Sequence, residues 1–143
     1  MSTYKAISLQ DLDDAEFNLR HQRYRTAAFH FQQFAEKGAK ALLEKKNVSH
    51  KAMRSHRTED ILAAYDEVHK TSDIADKARY LTSFDFNARY AGDYYSDITE
   101  AQAQKAHRFA LDLKAYFDFE WDKLNALTDV VPLNIEELKK LEI

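Results

Sequence analysis

A chain of 143 residues, 45% of them apolar, fits one domain with a core of its own. The absence of cysteine excludes a disulfide framework and thiolate chemistry, and two glycines with one proline exclude a turn-rich β protein. A net charge of −3 argues against a protein that coats nucleic acid, and with no apolar run near the roughly 20 residues that span a bilayer and no secretory pattern at the N-terminus, a cytoplasmic protein is expected.

The first helix is expected to begin near Ser8, with Asp11 three positions later as a weak capping box, and to run to about His21. Leu9, Leu12, Ala15, Phe17 and Leu19 are its apolar residues. The second helix is the stretch YRTAAFHFQQFAEKGAKALLEKK, from Tyr24 to Lys46. In it Tyr24, Ala28, Phe31, Ala35, Gly38 and Leu42 recur at alternating steps of four and three, which is a heptad seam, widened by Ala27 and Ala39. Small residues on the seam let a second backbone approach, and Gly38 is the place for the closest contact. Phe29 and Phe34 lie off the seam's centre, which reads either as a subunit contact or as a wide single core.

A polar, basic connection follows from Asn47 to Arg57. The third helix is expected from Thr58, capped by its hydroxyl, with Glu59 and Asp60 in the first turn and a stripe of Ile61, Leu62, Tyr65 and Val68. The fourth starts near Ser72, carries Ile74, Ala78, Leu81, Phe84 and Ala88, and frays around Gly92. The fifth starts at Thr99, which pairs with Gln102 in a capping box, and runs to about Leu127. Its seam is Ala103, Ala106, Ala110, Leu113, Phe117 and Leu124. Pro132 should break the chain, leaving Asn134 to Leu141 as a short terminal helix. The expectation is an all-α, antiparallel up-down bundle of four to five helices, with the second and fifth packed antiparallel along their seams. It forms one domain over 1–143, with a core of about 9–126 and a tail over 128–143.

Charge is uneven: residues 1–57 carry a net +5 and residues 58–143 a net −8. Lys37, Lys40, Lys45, Lys46, Lys51, Arg54 and Arg57 gather around the end of the second helix. They read as a phosphate or RNA-backbone patch, or as a solvated helix end whose cations suit the dipole. Arg79, Tyr80, Phe84, Phe86, Arg89, Tyr90, Tyr94 and Tyr95 form a second group, in which Arg89 offers a planar fork to phosphate and Tyr90 a face to a base. There is no P-loop, no glycine-rich nucleotide loop and no Glu-x-x-His pair, and His50 and His56 lack further ligands at suitable spacing, so no metal site is read. Glu36 and Lys40 read as a helix-stabilising pair one turn apart.

The order of residues resembles the HEPN (higher eukaryotes and prokaryotes nucleotide-binding) domain. The family's second helix reads roughly Y-x-x-A-x-F-x-x-Q-x-A-x-E-K-x-x-K-A-L-L, matched here by Tyr24, Ala27 or Ala28, Phe29, Gln33, Glu36, Lys37 and Lys40. His56 in SHRTEDILAAY and Arg89-Tyr90 in NARYAGDYY extend the likeness over about residues 9–126. The resemblance implies a nucleotide-binding site of Arg89, Tyr90, His56 and Lys40 and no cofactor, and the excess apolar surface of the second helix implies a homodimer with Phe29 or Phe34 at or near its interface. Many members are metal-independent ribonucleases with an Arg-x4-6-His motif. Here no histidine follows Arg89 at that spacing, and Arg23 or Arg25 to His30 fits it only in the wrong helix. The likeness therefore points to a nucleotide- or partner-binding module, such as the accessory subunit of a minimal nucleotidyltransferase in a toxin–antitoxin-like pair. A ribonuclease with a rearranged Arg/His site and a purely structural interaction domain stand as the alternatives.

Overall fold

A computed structural model describes residues 3–46, 50–85 and 98–141, with side chains of the last helix up to residue 127. Among the described residues five α-helices carry the fold: α1 (Thr3–Arg20), α2 (Tyr24–Lys45), α3 (Thr58–Tyr65), α4 (Asp73–Thr82) and α5 (Glu100–Leu141). Short 3₁₀ turns at Lys51–Arg54 and Glu67–Lys70 flank α3. No strand occurs among the described residues.

α2 is the central element, because its apolar residues face every way but one. Ala28, Phe31, Ala35, Gly38 and Leu42 are buried as the heptad seam requires, and so are Ala27, Ala39 and Leu43. The expected seam of α5 is equally buried from Ala103 to Phe117, with Trp121 added below it. Gly38 lies against Phe117: a Cβ built on Gly38 would fall 2.6 Å from Phe117 Cδ2 and closer still to Cε2. Phe34 is 1% exposed and packs on Phe117 with ring centroids 5.7 Å apart, so it belongs to the core and not to a subunit contact.

The direction of α5 differs from expectation. Phe31 stacks on His107, Gly38 meets Phe117, and Lys45 lies over Trp121. Residue numbers rise together along the two seams, so α2 and α5 run parallel. α1 and α2 are antiparallel, as are α4 and α5: Ser8 and Asp11 of α1 meet Phe34 and His30 of α2, and Lys77 and Tyr80 of α4 meet Asp112 and Gln102 of α5. This is what an up-down bundle demands. α4 runs back along the bundle between α2 and α5, so two reversals restore the direction.

Local expectations fared unevenly. α1 starts at Thr3, five residues before Ser8, whose buried hydroxyl instead donates to Phe34 O at 2.9 Å. Leu9 and Phe17 are 38% and 50% exposed, whereas Leu12 and Ala15 are the buried apolar residues of α1. Thr58 does not cap α3; its own N–H donates to Thr82 Oγ1 of α4, and its buried Oγ1 has no partner among the described residues. Val68 lies beyond α3 and is 59% exposed. Ser72 caps α4 by accepting from Ala75 N–H at 3.0 Å. Thr99 and Gln102 make the reciprocal capping box at the start of α5, at 2.9 and 3.1 Å. Pro132 does not break the chain: α5 continues through it to Leu141. A proline inside a helix forfeits one hydrogen bond, and the Glu, Leu and Lys residues that follow are strong helix formers.

Candidate functional site

The polar exception on α2 is a stripe of Gln32, Glu36 and Lys40, one turn apart. All three are buried, Glu36 completely. A lone carboxylate in that position costs several kcal/mol, so it must be paired. Lys37 and Lys40 each donate to Glu36 Oε2 at 3.2 Å, and Gln32 Nε2 donates to Oε1 at 3.2 Å. His56 reaches the same Oε1 through Nδ1 at 3.3 Å from the connection before α3. Burial alone would raise the Glu36 carboxyl, but the charges of Lys40 and Lys37 and their hydrogen bonds together hold it below its ordinary value.

An ionised carboxylate only accepts, so the Nδ1 of His56 carries the proton in this contact and Nε2 is left to accept. The His56 side chain is 67% exposed, against 23% for Lys37 and 6% for Lys40. Glu36 thus orients one accessible imidazole above two lysines. As imidazolium, His56 can donate to a phosphate oxygen; as neutral imidazole, Nε2 can accept a proton. An open cleft of about 650 Å³ begins at the neighbouring Ser55 and is edged by His50, Lys51, Arg54, Asp60 and Glu67.

Of the four residues expected at the site, Lys40 and His56 are brought together, with Glu36 as their common partner. Arg89 and Tyr90 lie outside the described residues, as do Phe86, Ala88, Gly92, Tyr94 and Tyr95. The basic cluster is not one patch. Lys37 and Lys40 turn inward to Glu36, Lys45 lies over the Trp121 ring, Lys46 donates to Tyr65 O, and Arg57 faces Asp60. Glu36–Lys40 is a helix pair as expected, but its burial and its partner from outside α2, His56, were not legible in the spacing. His30, picked out by Arg-to-His spacing, instead donates to Asp11 of α1 at 3.0 Å.

The HEPN domain profile matches residues 1–116, most of the chain. The chain belongs to the HEPN domain family. Its fold is that of a HEPN protein: the crystal structure of an archaeal HEPN homologue superposes with a TM-score of 0.63 over 85% of this chain and 94% of that one, at 21% identity. No curated protein matches the sequence. Membership makes this a HEPN helical module of the nucleotide-binding and ribonuclease type, and no described helix is long and apolar enough to cross a membrane.

Proposed function

We propose that this HEPN domain binds a nucleotide or an RNA end through phosphate, with His56 and Lys40 as donors and Arg89 and Tyr90 completing the site, and that it serves as the accessory subunit of a minimal nucleotidyltransferase in the cytoplasm. The observation that carries the binding reading is the fully buried carboxylate of Glu36, which gathers Lys37, Lys40 and an exposed His56. Cations fixed in advance lose little freedom when an anion arrives, and none of this chemistry needs a metal.

Calorimetry with ATP, AMP and a short 5′-phosphorylated RNA tests the binding. His56→Ala and Arg89→Ala should each weaken it by about 1–3 kcal/mol, the range for a charge-assisted hydrogen bond, with helicity unchanged. Absence of binding to the wild type removes the proposal and leaves a structural interaction domain. Co-purification with a nucleotidyltransferase tests the partner.

A second reading rests on the same Glu36–His56 contact. A carboxylate-held imidazole with a free Nε2 is suited to take the proton of an RNA 2′-hydroxyl. RNA cleaved in the presence of EDTA by the wild type, and spared by His56→Ala, would make this HEPN domain a ribonuclease with a rearranged site.

A further inference from the structure

A second polar group lies between α1 and α2, on residues the binding reading does not use. Asp11 and Asp14 stand three residues apart on one face of α1, and His30 reaches them from α2. His30 Nδ1 is 3.0 Å from Asp11 Oδ1, and one ligand atom from each of the three residues lies within 4.8 Å of the others. All three side chains are half-buried. Their charge does not balance. Two carboxylates face one imidazole, and Asp14 has no ion-pair partner among the described residues; its Oδ1 accepts only from Gln10 Nε2 at 3.1 Å.

We propose that Asp11, Asp14 and His30 bind one divalent transition-metal ion, Zn²⁺ or Mn²⁺, between α1 and α2. One nitrogen and two carboxylate oxygens from facing helices suit such ions, whereas an all-oxygen set would suit Mg²⁺ or Ca²⁺. The spacing fits. Adjacent ligands of an octahedral ion bonded at ~2.1 Å stand ~3.0 Å apart, and opposite ones ~4.2 Å. Asp11 and His30 already hold the first distance, and an Asp14 oxygen lies within 4.8 Å of both, so the Asp14 carboxylate has to close in on the ion. The ion takes the Nδ1 lone pair, and the imidazole proton moves from Nδ1 to Nε2. The ligands are only partly buried, which leaves the remaining positions to water.

Titration calorimetry of the dialysed full-length protein with ZnCl₂, and separately MnCl₂, near neutral pH tests this. One ion per chain is expected, with a rise in Tm. Asp14→Asn and His30→Ala should each weaken binding by roughly tenfold or more while circular dichroism stays helical. Asp13→Asn, on the exposed face of α1, and His50→Ala should bind as the wild type does. No saturable binding of either ion, or unchanged binding in Asp14→Asn, overturns the site. Should His30→Ala fail to fold, Mn²⁺ broadening of the His30 ring protons in the wild type decides: rings that stay sharp overturn it as well.

Discussion

Single residues set the strictest terms in this bundle. Gly38 is the clearest case, because the ring of Phe117 occupies the space a Cβ would need. That ring cannot step aside easily, since Phe34 and Tyr116 pack on it. Gly38→Ala should therefore destabilise the fold, the overpacking cost of about 1–3 kcal/mol exceeding the ~1 kcal/mol that alanine's helix propensity returns. Phe117→Leu in the same chain should relieve part of the loss, a coupling visible in a double-mutant cycle of denaturant midpoints. His69 sets a different constraint. It is 4% exposed and lies between Ser72 Oγ at 2.7 Å and Tyr116 OH at 2.6 Å. Burial lowers its pKa from 6.5, against the pull of the Asp66 and Glu120 charges. Below about 6.5 the unfolded chain therefore holds a proton that the native one lacks, so stability falls as pH drops from neutral toward the lowered value. Unfolding by urea near pH 7 and near pH 5.5 should show that loss, and His69→Gln should flatten it.

At the scale of elements, the ends of the helices are held by more than one kind of device. α5 begins with two reciprocal bonds made within four residues, so its start is local chemistry. Thr99→Ala should cost about 1 kcal/mol, read as a lower Tm with unchanged quaternary structure. α3 has no such local cap. Thr82 of α4 accepts from Thr58 N–H and donates to Glu59 Oε1 at 2.8 Å, so α3 and α4 hold each other's ends. The short α3 of eight residues would be marginal alone and gains its place from Ile61, Leu62 and Tyr65 in the core.

Across the whole molecule, apolar surface remains after the bundle has closed. Phe119 and Leu127 on α5 are 67% and 56% exposed, and Leu111 and Phe17 are 42% and 50% exposed. Leu111, Ala115 and Phe119 share a face of α5, one turn apart. We expect any two-fold contact between copies on this outer face and not at Phe34, which is spent on the core. Sedimentation at micromolar concentration should show a species of twice 16.7 kDa, and Phe119→Asp should return it to the monomer with its helicity intact. A wild type that sediments as a monomer rules the dimer out.

Much of this protein is determined by its sequence alone. Periodicity along Tyr24–Lys45 and Glu100–Leu127 marks the helices and their buried faces, because a seam of small and aromatic residues has no other use at that spacing. The capping residues Ser72 and Thr99 are equally local, since each bonds within its own first turn. The match of α2 to the HEPN pattern also needs no coordinates. Other features were decided only by tertiary packing. The relative direction of α2 and α5 depends on how many reversals lie between them, which a seam cannot report. The Gln32–Glu36–Lys40 stripe looks like a solvated helix face in sequence, and only the arrival of His56 from the connection before α3 makes it a buried, oriented cluster. Asp11, Asp14 and His30 likewise meet because α1 and α2 pack antiparallel at that register. A helix's period states which residues share a face; what that face meets is settled when the other helices arrive.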